Sequence, residues 1–152
     1  MIQPVRIGHL VLKVRDLDRS AKFYTEILGL REVDRFDQGN DHMVFFAWKD
    51  NHHDLAIYKV GDGAEGPKND QVGLDHVAFE LADEEALRRA YRFLKERGVQ
   101  IDELEDHGVS HSVYFRDPDG NAIEIFSNTT PDQWPGGVRP PVAQINPLTL
   151  ED

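Results

Sequence analysis

The chain repeats itself. His9-Leu-Val-Leu-Lys-Val-Arg-Asp and His76-Val-Ala-Phe-Glu-Leu-Ala-Asp align at an offset of 67 residues, which sets Tyr24 against Tyr91. Further on, Leu55-Ala-Ile-Tyr58 aligns with Ile123-Glu-Ile-Phe126 at an offset of 68, so about one inserted residue separates the two copies. A unit of this length cannot bury a full core alone. An internal duplication therefore constrains the fold more than any single motif does, and one continuous sheet shared by the two copies is expected.

The period of the apolar residues fills in each copy. From Ile7 to Val14 the side chains alternate as in a strand, with Leu10, Leu12 and Val14 on one parity. From Asp16 to Leu28 the spacing of Leu17, Ala21, Tyr24 and Leu28 is helical, with Asp16 or Asp18 as N-cap and Gly29 as terminator. Strands are expected at Arg31–Phe36, Met43–Trp48 and Asp54–Val60, giving β-α-β-β-β, and the second copy follows the same order. The fold class is α+β: two tandem βαβββ modules forming a curved mixed sheet around a metal cleft. Module 1 spans about residues 5–60, a Gly-, Pro- and charge-rich linker 61–71, module 2 about 72–128, and an arm 129–152. From Pro131 onward the arm holds five of the eight prolines, so it is extended, packed on the surface or on a partner chain.

Composition removes several classes. With 28 acidic against 17 basic side chains the net charge is −11, which disfavours a nucleic-acid partner. There is no Cys, so a metal would have to be held by His and carboxylate. No run of about 18 apolar residues is present to span a membrane, and the N-terminus lacks the apolar stretch of a secretory signal, so a cytoplasmic protein is expected.

The duplication gives the histidines meaning. His9 and His76 hold equivalent places on the first strand of each copy; on the last strand the equivalent places are Ala56 and Glu124. Alone, either histidine reads as a half-buried strand residue, and Glu124 as a carboxylate turned to solvent. Together, two imidazoles and one carboxylate form the set that holds one face of non-haem Fe(II), with Mn(II) as the other candidate.

Gly8-His9-Leu-Val-Leu, Leu74-Asp-His76-Val-Ala-Phe and Asp117-Pro-Asp-Gly-Asn-Ala-Ile-Glu124-Ile-Phe resemble the metal strands of the vicinal oxygen chelate superfamily. The resemblance covers roughly residues 5 to 128. Glyoxalase-like members use a fourth ligand on the last strand of the first unit, where this chain has Ala56 or Ile57, so the three-ligand arrangement of the type I extradiol dioxygenases fits better. Asn51-His-His53-Asp-Leu-Ala resembles the stretch whose His is the acid–base catalyst in those enzymes, with His53 the better match and His52 second. Asp106-His107-Gly-Val-Ser-His-Ser-Val-Tyr114 resembles their signature, in which the residues matching His107 and Tyr114 bind substrate.

What the resemblance implies is an Fe(II)-dependent extradiol ring-cleaving dioxygenase. It would take a small aromatic diol and O2 and act as a homo-oligomer, a dimer or larger, giving a muconic semialdehyde-type product. The other readings are a glyoxalase-like lyase or isomerase and a non-catalytic small-molecule binding or resistance protein. Phe46, Trp48 and Tyr58 are candidates for lining an aromatic site, and equally for ordinary core.

Overall fold

Strand pairing follows the repeat. The computed structural model describes residues 1–151 and contains β1 (Leu10–Val14), α1 (Leu17–Glu26), β2 (Arg31–Gln38), β3 (Asp41–Ala47) and β4 (Leu55–Lys59). The second copy holds β5 (His76–Glu80), α2 (Glu84–Glu96), β6 (Ile101–Asp106), β7 (Ser110–Arg116) and β8 (Ala122–Asn128), followed by a short β9 (Asn146–Pro147) in the arm. The sheets have the orders β1-β4-β3-β2 and β5-β8-β7-β6-β9. Strands pair only within a repeat, so there are two hydrogen-bonded sheets and not the one continuous sheet expected from sequence. The α+β class and the two βαβββ modules stand.

Close contacts divide the chain into two units, residues 1–67 with Asp117–Asn121, and residues 68–116 with 122–152. The first unit thus recruits the turn between β7 and β8. Asp119 accepts from Arg15 N at 3.1 Å, Arg15 Nη1 at 3.0 Å, Arg19 Nη2 at 2.8 Å and the Ser20 hydroxyl at 3.0 Å. Burial opposes its charge, yet these donors prevail and hold its carboxyl below the usual value. Beside it, the Tyr24 hydroxyl donates to Asp117 at 2.9 Å. Burial, with Asp117 next in weight, pushes this phenol far above its ordinary range.

The two copies share their punctuation. Asp16 caps α1 by accepting from Arg19 N at 2.9 Å, and Asp83 caps α2 by accepting from Ala86 N at 2.7 Å. Gly29 and Gly98 follow the two helices at φ of 68° and 70°, a region closed to most L side chains. Each second strand carries a register shift, between Glu32 and Asp34 in β2 and between Ile101 and Glu103 in β6.

Register assigns the faces. In the first sheet Leu12, Val14, Leu55, Ile57, Val44 and Phe46 share a parity and are buried, with Leu17, Ala21 and Tyr24 of α1 against β3 and β4. In the second sheet Val113, Phe115, Ile123 and Ile125 are buried on the face packed by Leu87, Tyr91 and Leu94 of α2. The opposite face of this sheet is polar: His76 on β5, Glu124 on β8, Ser112 and Tyr114 on β7, Glu105 on β6. Among the described residues no helix is long and apolar enough to cross a membrane.

Candidate metal and substrate site

In the second unit the polar face gathers most of the residues singled out from sequence. Parallel pairing sets Ala78 opposite Glu124 and His76 opposite Ala122, so His76 and Glu124 stand on adjacent strands, on one face. His76 Nε2 lies 3.0 Å from Glu124 Oε2. Each is held from behind. Asp75 Oδ2 is 2.7 Å from His76 Nδ1, and the Ser112 hydroxyl donates to Glu124 Oε1 at 2.6 Å. A carboxylate on Nδ1 fixes the ring so that Nε2 turns toward Glu124, which is how metal-ligating histidines are oriented.

Glu124 is buried between Ile123 and Ile125, and a carboxylate in such a place needs a positive partner. The donor set therefore fits a hard or borderline divalent ion such as Fe(II) or Mn(II). Within either unit taken by itself, among the described residues, no group of three or more His, Asp or Glu forms such a centre. The second unit supplies two donors; a third would have to come from the first.

Tyr114 pairs directly across from Glu124, and its ring meets that of His76 edge-on at 5.6 Å. Burial first, then the charges of Glu124 and Glu105, push its phenol well above the usual value, so it remains an O–H donor at any working pH. His107 Nε2 lies 3.0 Å from the Tyr114 hydroxyl, and its Nδ1 lies 2.7 Å from the Gln144 carbonyl in the arm. Glu105 Oε2 stands 3.2 Å from His107 Nε2. Burial and neighbouring Glu103 push the Glu105 carboxyl up, while His107 pulls it down.

In the first unit His9 and His53 come together. Their rings lie 4.5 Å apart, and His53 meets Phe45 edge-on at 5.3 Å. The loop that carries His53 is closed by Asn51, whose amide donates to Asp54 Oδ1 at 2.7 Å and to the His53 carbonyl at 3.0 Å. His52 Nδ1 lies 2.7 Å from His53 Nδ1, but His52 itself is exposed. Burial, and then the neighbouring His9 and His52, lower the His53 pKa, so at neutral pH its imidazole is a free base.

Ala56 and Ile57 are both fully buried apolar side chains and offer no ligand atom from β4. Of the aromatic candidates, Phe46 belongs to the core beside Tyr24, and Trp48 is 53% exposed. Tyr58 is half-buried, and its hydroxyl donates to Asp41 at 3.3 Å.

Three residues of this geometry were not singled out from sequence. Asp75 and Ser112 carry a signal there, since Asp75 adjoins His76 and Ser112 shares the parity of Tyr114. Gln144 carries none, because it acts through its carbonyl from a segment with no counterpart in the other copy.

Comparison with known proteins is consistent with this arrangement. A family model, the Glyoxalase/Bleomycin resistance protein/Dioxygenase superfamily, matches residues 6–125. Biphenyl-2,3-diol 1,2-dioxygenase 3 of Rhodococcus globerulus is 32% identical over 121 residues, covering 79% of this chain and 62% of that protein. Catechol-2,3-dioxygenase of Bacillus subtilis (strain 168) is 31% identical, covering 87% of this chain and 45% of its own length. The chain thus spans roughly half the length of these relatives. Lactoylglutathione lyase of Schizosaccharomyces pombe is 26% identical over 82% of this chain and 48% of its own. Among solved structures, a glyoxylase/bleomycin resistance protein/dioxygenase domain from Frankia sp. EAN1pec superposes with a TM-score of 0.73 at 24% identity, covering 84% of this chain and 94% of that one. A fosfomycin resistance protein of Listeria monocytogenes, complexed with Mn(II), gives a TM-score of 0.65 at 19% identity over 84% and 95% of the two chains. These two share the fold. Taken with its duplicated βαβββ architecture, the chain belongs to the Glyoxalase/Bleomycin resistance protein/Dioxygenase superfamily.

Proposed function

We propose that the chain performs extradiol cleavage of a catechol-type aromatic diol with O2, using Fe(II), with Mn(II) as the alternative ion. His9, His76 and Glu124 would hold the metal. When bound, it supplies Lewis acidity toward the diol and a redox route to O2. The observation that carries this reading is the polar sheet face on which the facing pair His76–Glu124 stands beside Tyr114 and His107, while the equivalent of Glu124 in the other repeat is buried Ala56. A glyoxalase-type centre would call for a fourth protein ligand at that place.

The residues divide the remaining work. Tyr114, kept protonated by its surroundings, donates to a diol oxygen and orients the ring. His53, a free base at neutral pH, takes a diol proton and returns it later to an oxygen of the product. His107 fixes the Tyr114 hydroxyl. His52, exposed beside His53, is the weaker candidate for substrate contact.

The test is anaerobic loading with Fe(II), then addition of a panel of catechols in air. The expected result is a yellow semialdehyde product with matching O2 consumption. No consumption with any catechol, together with isomerisation of a glutathione hemithioacetal, would replace this reading with the lyase one. Ligand binding without turnover in either assay would make the chain a binding protein.

A further inference from the structure

His107 has two ring nitrogens and three oxygen neighbours. The Gln144 carbonyl, 2.7 Å from Nδ1, only accepts, so Nδ1 carries a proton. At Nε2 stand the Tyr114 hydroxyl at 3.0 Å and Glu105 Oε2 at 3.2 Å. The direction of the Tyr114 hydroxyl proton depends on the state of this nitrogen. If Nε2 is bare it must accept, and Tyr114 gives its proton to His107. If Nε2 carries a proton it donates to the phenol oxygen, and the Tyr114 O–H is free to point elsewhere.

Glu105 decides between these states. It lies on the same sheet face as Ser112 and Tyr114, since β6 pairs Glu105 with Ser112 and Glu103 with Tyr114. Its carboxylate beside Nε2 favours the protonated ring. The other charged groups around the pair are Glu103 on β6, Glu124 on β8 and Asp106, whose Oδ1 accepts from Gly108 N at 2.6 Å; no cation other than the ring faces it from these strands or the arm.

We propose that Glu105, with the Gln144 carbonyl of the arm, is a positioning device that keeps a proton on His107 Nε2 and so turns the Tyr114 hydroxyl proton toward the substrate. The inference deepens the dioxygenase reading and rests on it for the role of Tyr114. The arrangement at His107 stands without it. It also makes the arm, which lies outside residues 6–125 matched by the family model, a working part of the site.

Substitutions separate charge from shape. Glu105→Gln keeps the shape and removes the charge; Glu105→Asp keeps the charge and shortens the arm. The readout independent of turnover is 15N NMR of the imidazole nitrogens of the full chain at neutral pH, with His107 assigned by His107→Gln. Nε2 is expected in the protonated range in the wild type and in Glu105→Asp, and in the bare range in Glu105→Gln. In catechol turnover kcat is expected to fall about tenfold in Glu105→Gln, the value of one lost hydrogen bond in the transition state, and to recover in Glu105→Asp.

A bare Nε2 in the wild type overturns the proposal, as does a Glu105→Gln enzyme that turns over normally while Glu105→Asp fails. A protonated Nε2 that is lost in Glu105→Gln, in a chain that cleaves no catechol, upholds the role of Glu105 and overturns the dioxygenase reading instead.

Discussion

The two repeats place their strands alike and load them differently. In the first, β4 sets Ala56 opposite Val11 and Phe45; in the second, β8 sets Glu124 opposite Ala78 and Tyr114. Where His76 has Asp75 behind its ring, His9 follows Gly8, which can orient nothing. The connections before the last strands diverge as well. Asn51 to Asp54 holds His53 against His9, whereas Asp117 to Asn121 is an anchor whose carboxylates face Tyr24, Arg15, Arg19 and Ser20. One geometry, used twice, has thus been given acid and phenol chemistry in one copy and apolar side chains plus a free imidazole in the other. Duplication supplies two equivalent frames, and chemistry needs only some of the positions in each.

The comparison breaks hardest at Glu124. Glu124→Ala makes the second repeat match Ala56 of the first. Catechol turnover is expected to fall at least about 10³-fold, a barrier increase of roughly 4 kcal/mol, with iron lost from the purified protein. Retained iron, read by metal analysis, would remove Glu124 from the centre.

Asp119→Asn attacks the anchor connection instead. It leaves Arg15 and Arg19 without their buried carboxylate and should cost about 3 kcal/mol of stability, measured by denaturant unfolding. The pH sign follows from the lowered folded-state value. The unfolded group titrates near 3.8, so its contribution is complete above that pH and is lost as pH falls through the lower folded value. In Asp119→Asn that part of the acid limb disappears.

At the other connection, His53→Asn is expected to keep its iron and lose about 10²-fold in kcat, the size of a missing acid–base catalyst. Unchanged turnover would assign His53 to the loop alone. The smallest effect is expected at Asp75. Asp75→Asn should weaken metal binding about tenfold, because its partner atom orients His76 from an exposed position, whereas changes at Gly8 that preserve the backbone should leave metal affinity alone.

Much of this was legible in the sequence, because a repeat converts weak local signals into paired ones. The alignment of His9 with His76 also aligned Asp16 with Asp83, and both prove to be N-caps. Parity alone separated buried Leu12 and Val14 from exposed Val11 and Lys13. The two-sheet pairing was not legible: hydrophobic alternation states that a strand has a covered face, not which strand pairs with it. Nor was the anchor. Asp117-Pro-Asp-Gly reads as a turn, and only the fold shows its carboxylates meeting Arg15 and Tyr24 about a hundred residues away in the chain. The roles of Glu105 and Gln144 depend on the register of β6 and on a proline-rich arm, neither of which periodicity can fix.

The central claim is that ligand chemistry from both copies serves one oxygenation. It is tested most directly by the stoichiometry of O2 uptake in the Fe(II)-loaded chain. One O2 consumed per catechol cleaved, with uptake abolished in both His9→Ala and Glu124→Ala, is the predicted result. Uptake that survives either substitution, or catechol left intact in the loaded wild type, would contradict it.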